Sequence, residues 1–215
     1  MAVETIRQER LLLVERLRAL SESQWDEPSL CAGWTIRHVL AHLVTPFSVS
    51  APAMALAVSR HRSIGRAMDS AAQRLATQRT PEELLSVLEA KAGSTFRPPG
   101  MPLEAPLTDV VCHGADIRWA LGEPVADWSD PARLRPVLDF LTGPRARAGF
   151  VPAGRLRGLA LVATDQQWRR GQGVEVRGPS LALAMAMLGR DAALTVLSGE
   201  GVVLLAQPGG VRGGS

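Results

Sequence analysis

An α+β fold is what this sequence predicts, with a helical bundle over residues 1–143, a small α+β unit over 154–208 and a disordered tail over 209–215. Three observations predict it. Apolar residues recur at helical spacing through most of the first 140 positions, as in Ile6, Leu13, Leu17 and Leu20. After Gly143 the linker-like run GPRARAGFVPAGR changes the pattern, and LRGLALVAT and GVEVRG alternate as strands do. The length of 215 residues suits one medium domain with a small partner.

The elements follow in order. Val3 to Leu20 forms a charged amphipathic helix. SESQWDEPSLCAGW breaks that pattern with Pro28 and Gly33 and reads as an ordered loop anchored by Trp25 and Trp34. Thr35 is the expected N-cap of a second helix, kinked or interrupted at Pro46 or Pro52. A helical region from Ile64 to Ala92 divides at Thr80, where an N-cap, Pro81 and two first-turn acids make an internal start signal. The proline-rich RPPGMPLEAP turn leads into TDVVCHGADIRWALG, a long helical segment ending near Gly122. PARLRPVLDFLTG is the next helix, distorted at Pro136. In the C-terminal unit PSLALAMAMLG and AALTVLSG read as a helical pair and GVVLLA as a short strand.

Formal net charge is only +3, although the isoelectric point is near 9.6, because arginine supplies all but one of the fixed basic groups, Lys91 being the sole lysine. The arginines are scattered among acids, unlike the dense basic patch with aromatics that nucleic acid demands, so no nucleic-acid partner is expected. The apolar run from Leu181 is too short to span a membrane, and none is expected as a partner. The N-terminus opens on an amphipathic pattern rather than a secretory leader. Cys31 and Cys112 do not make a disulfide framework, and the expected compartment is the reducing cytoplasm with both thiols free.

Chemistry concentrates in four histidines and one polar stripe. Asp109, His113 and Asp116 fall at i, i+4 and i+7, so one helix face carries all three. Asp109 and His113 can supply two metal ligands from one helix, and His42 on another helix a third, which leaves an open position as in catalytic zinc sites. Asp116 can act behind His113 as a hydrogen-bond acceptor, or orient a substrate or water. His38 lies four residues before His42, so His38 and His42 could instead be the pair, with Asp109 a bystander. The bland alternative is a hydrogen-bonded helix surface. Cys112 and Cys31 are expected to pack in the core. No G-x-S-x-G elbow and no phosphate-binding glycine loop is present.

WDEPSLCAGWTIRHVLAHL, from Trp25 to Leu43, resembles a signature of the mycothiol-dependent maleylpyruvate isomerase family, a branch of the DinB-like metal-binding bundles. DVVCHGADIRWALG resembles its second signature, an acid, a histidine four residues on, then Asp and a Leu-Gly end. The C-terminal stretch from Leu159 to Leu205 looks like the family's smaller α+β domain, sterol-carrier-like in shape. The resemblance implies a four-helix bundle that binds a divalent metal, usually zinc, through His42, Asp109 and His113, with Asp116 matching the downstream Asp. His38 falls where the family commonly has Asp, which favours His42 as the second-helix ligand. Asp109 departs from the family's Glu by one methylene. Arg190 matches the family's Gly-Arg motif and is the candidate to meet substrate carboxylates.

The resemblance also implies mycothiol as cosubstrate, its sulfur entering the open metal position. The expected function is therefore a metal-dependent isomerase or thiol S-transferase acting on a small electrophile through a zinc-bound thiolate, as a monomer or homodimer. Two rivals stand beside it: a hydrolase using the same metal to activate water, and a non-catalytic protein binding metal or an apolar ligand.

Overall fold

The computed structural model describes residues 2–123 and 130–206. The chain divides into two compact units, Met1–Glu123 and Pro124–Ser215. The tail expected over 209–215 lies outside the described residues.

The first unit is helical. α1 (Ala2–Arg18), α2 (Ile36–Ser48), α3 (Ala51–His61), α4 (Ile64–Gln78), α5 (Pro81–Ala90) and α6 (Glu104–Ala120) follow one another. α1 packs against α5 and α6, and α2 packs against the same two helices, so these four enclose a common core. α4 lies against α2, and α3 against α4. Ile6, Leu17, Ile36, Leu40, Leu88, Leu107 and Ile117 are fully buried there. α2 is central because Val39, Leu40, Ala41 and Val44 are all inaccessible, while α3 buries none of its residues.

Local chemistry sets the boundaries. Thr80 Oγ1 accepts from the Glu83 N–H (3.3 Å) and Glu83 returns a bond from the Thr80 N–H (2.9 Å), closing a capping box ahead of Pro81. Pro46 sits inside the last turns of α2, and Thr45 Oγ1 donates to the Ala41 carbonyl beside it. The interruption comes at Val49 and Ser50, after which Pro52 opens α3 in the first turn, where a missing N–H costs little.

The second unit contains α7 (Pro131–Leu141), β1 (Leu159–Ala163), β2 (Arg169–Gly171), β3 (Val174–Gly178), α8 (Ser180–Met187) and α9 (Val202–Ala206). The sheet order is β2-β1-β3, with β1 antiparallel to β2 and parallel to β3, Leu161 facing both Arg170 and Val176. α8 is buried on every side, as an apolar-all-round sequence requires, and packs against α7 and the sheet. Its first turn is tied by Asp165, which accepts from the Ser180 N–H and from Ser180 Oγ (2.6 Å). Gly171 and Gly173 have φ of +82° and +124°, and a Cβ on either would collide with the backbone of Gly158 or Leu159.

Three expectations change here. GVVLLA is not a strand; Val202–Ala206 is a short helix whose Leu205 is buried while Val203 and Leu204 are exposed. A short apolar run has no periodicity of its own to separate the two states, and one-sided burial decides for the helix. AALTVLSG forms a 3₁₀ turn over Asp191–Val196 rather than an α-helix. The helix Pro131–Leu141, read from sequence as part of the bundle, packs on α8 in the second unit. The strand Arg169–Gly171 carries no apolar alternation and is exposed throughout, so nothing in its sequence marks it.

Candidate metal centre

α2 and α6 pack against each other, and that contact builds the site. On α6, Asp109 and His113 are one turn apart, and Asp109 Oδ1 lies 3.5 Å from His113 Nε2. From α2, His42 Nε2 reaches to 3.6 Å from the same oxygen. The three donor atoms all lie within 4.8 Å of one another. The shorter aspartate therefore reaches both imidazoles. Separations of 3.5–3.6 Å are long for mutual hydrogen bonds. They are close to the edge of a tetrahedron with bonds of ~2.0–2.1 Å, which is about 3.3–3.4 Å. Two imidazole nitrogens and one carboxylate oxygen are a donor set suited to zinc and related divalent ions. The residues fit such an ion.

His38 is engaged elsewhere. Its Nδ1 accepts from the Thr35 N–H (3.3 Å) and lies 2.8 Å from Thr35 Oγ1, completing the cap of α2. Asp116 is fully buried, and its Oδ2 lies 3.0 Å from His113 Nδ1. That bond places the Nδ1 proton and leaves Nε2 directed at Asp109. Burial disfavours a charged His113, but the hydrogen bonds to Asp116 and Cys31 and the charge of Asp109 outweigh it, and the imidazolium is pushed up to about 10. Burial likewise opposes an ionised Asp109, yet His42, His113 and Arg10 together hold its carboxyl below the ordinary range. His42 Nδ1 is buried without a hydrogen-bond partner, so the two imidazoles are unequally supported.

Two residues that sequence reading left out of the chemistry line the site. Cys31 Sγ donates to Asp116 Oδ2 (3.0 Å) and lies 3.6 Å from His113 Nδ1, so it is engaged with polar groups rather than apolar filler. Cys31, His113 and Asp116 form a second group with metal-ligand spacing. Trp34 packs over both imidazoles, its ring 5.1 Å from His42 and 6.4 Å from His113, and its Nε1–H donates to Asp69 (2.8 Å). The signal for both was their place in the CAGW loop directly before the α2 cap. Cys112 is buried as expected. Arg190 opens the 3₁₀ turn of the second unit, and its Nη1 donates to the Leu188 carbonyl (3.2 Å).

The family described as Mycothiol maleylpyruvate isomerase N-terminal domain matches residues 6–97. The match covers less than half of the chain and lies wholly within the N-terminal unit. The matched segment contains the CAGW loop and His42; Asp109, His113 and Asp116 lie beyond it. The fold of the chain is that of solved maleylpyruvate isomerase structures. A histidine-to-alanine mutant of the mycothiol-dependent maleylpyruvate isomerase aligns at 16% identity with a TM-score of 0.56, covering 93% of this chain and 91% of that one. The mycothiol-dependent maleylpyruvate isomerase itself aligns at 15% identity with a TM-score of 0.52 and the same coverage. Among curated proteins, none matches the sequence. No helix among the described residues is long and apolar enough to cross a membrane.

Proposed function

We propose that this chain is a divalent-metal-dependent isomerase or thiol S-transferase that uses mycothiol on a small electrophilic substrate. The convergence of His42 Nε2, Asp109 Oδ1 and His113 Nε2 carries the reading. A zinc-class ion at these donors would supply the positive charge that lowers a coordinating thiol from its free pKa of ~8.5 into the neutral range. The residues of the chain do the rest. Asp116 holds the Nδ1 proton of His113 and keeps Nε2 available. Asp109 stays ionised and remains a third exposed, so the donor set faces accessible space rather than a closed core. Trp34 shields the imidazoles on one side and limits water there. The match of residues 6–97 to the mycothiol maleylpyruvate isomerase N-terminal domain and the mycothiol-dependent enzymes that share the fold support a thiol cosubstrate.

Metal analysis of the purified protein, followed by calorimetric titration with mycothiol, tests this. The expected result is about one divalent ion per chain, mycothiol heat that disappears on metal removal, and thiol-dependent turnover of a substrate such as maleylpyruvate. A chain with neither metal nor mycothiol heat would end the proposal. Turnover that needs metal but no thiol would redirect it to hydrolysis by activated water.

A further inference from the structure

We propose that Cys31 is a positioning residue of the metal centre, its thiol fixing the Asp116 carboxylate that in turn orients His113. One oxygen, Asp116 Oδ2, lies 3.0 Å from both Cys31 Sγ and His113 Nδ1, and the sulfur and nitrogen are 3.6 Å apart. The three atoms close a triangle about a carboxylate with no solvent exposure. A buried carboxylate needs donors in fixed directions. The thiol takes one lone-pair direction of Oδ2 and leaves the other to the imidazole, so the carboxyl group cannot turn away from His113. The inference rests on the reading of His42, Asp109 and His113 as metal ligands.

The loop that brings the thiol is held by its own backbone. The Leu30 N–H donates to the Asp116 carbonyl (3.4 Å), the Cys31 N–H to Ser29 Oγ (3.1 Å), and the Trp34 N–H to the Cys31 carbonyl (2.9 Å). Gly33, at φ +78°, permits the tight return. None of these bonds uses the sulfur. Removing the thiol leaves these backbone bonds in place and takes away the contacts of the sulfur with Asp116 and His113.

The test compares Cys31→Ala, Cys31→Ser and Asp116→Asn, each checked for native circular dichroism. Zinc affinity is read by competition with a chromophoric chelator, and ligand geometry by the visible spectrum of the cobalt(II)-loaded protein. Cys31→Ala is expected to lose about 10-fold in affinity and to shift the cobalt bands, at the low end of the range for residues that support a ligand. Cys31→Ser, whose hydroxyl can still donate, is expected to recover most of both. A metal-free readout runs in parallel: the His113 Nδ1–H resonance of ¹⁵N-histidine-labelled protein. It should be sharp and protected from exchange in wild type and Cys31→Ser, and lost in Cys31→Ala. Alanine and wild type alike in affinity, spectrum and resonance would overturn the proposal, as would serine no better than alanine in a folded protein. If Cys31→Ala does not fold, Cys31→Val takes its place as the donor-free variant. Wild-type protein that takes up no metal would defeat the metal reading alone, because the resonance still decides the role of Cys31.

Discussion

At the scale of single residues, the site is organised around protons as much as ligands. His113 is an imidazolium up to about 10 in the metal-free protein, so an ion arriving at Nε2 must displace a proton below that pH. Metal affinity should accordingly rise about tenfold per pH unit between about 7 and 9. Calorimetry at pH 8 in two buffers of different ionisation enthalpy should report release of about one proton per ion. In the metal-free chain the same raised value means that His113 stabilises the fold fully below its ordinary 6.5 and progressively less as pH climbs through about 10. Asp109→Asn replaces the carboxylate that both imidazoles face by a neutral amide, a far poorer metal ligand, and metal content by elemental analysis should fall well below that of wild type. His38→Ala should leave metal content unchanged and weaken only the cap of α2. Spacing alone left His38 and His42 both open and the resemblance favoured His42; in the structure Nδ1 of His38 is taken up by Thr35 at the start of α2.

At the scale of elements, helix ends were the most legible features because their energetics are local. Thr80-Pro81-Glu82-Glu83 announces α5, and the capping box forms as its residue types require. Thr80→Ala should cost about 1 kcal/mol, read as a lowered midpoint of thermal or denaturant unfolding. α1 and α6 are joined at their ends by Glu123, which accepts from Arg118 Nε (2.8 Å) and from Arg16. Burial disfavours the charge on Glu123, but the two guanidiniums hold its carboxyl below the ordinary range. A lowered folded value stabilises fully above the unfolded pKa near 4.5 and loses that contribution as pH falls from there through the lowered folded value. Glu123→Gln should therefore cost about 0.5–1 kcal/mol at pH 7 and progressively less as pH falls below 4.5, measured by urea unfolding across that range. β2 and α9 were not legible. An exposed Arg-Arg-Gly strand exists because β1 offers it an edge, and a five-residue apolar helix exists because only one of its faces meets the core.

At the scale of the whole molecule, every donor named at the metal centre belongs to the first unit, Met1–Glu123. A chain ending at Glu123 should bind zinc within about tenfold of the full-length affinity, by the same chelator competition. A much larger loss would mean that the first unit does not hold the ion by itself. The core beneath the site holds it in place: Leu40 on α2 is fully buried, and Leu40→Ala should destabilise by about 2–5 kcal/mol in denaturant unfolding. The sequence by itself determined what reaches no further than a helical turn. It set where helices begin, that Asp109 and His113 share a face, and that α8 is apolar all round and so must be enclosed. The tertiary structure showed that His42 Nε2 and His113 Nε2 both lie near Asp109 Oδ1, that Cys31 and Trp34 lie beside these side chains, and that α7 packs on α8. The physical reason is range. Capping and periodicity act between neighbours along the chain, whereas the convergence of side chains is set by how α2, α6 and the CAGW loop pack.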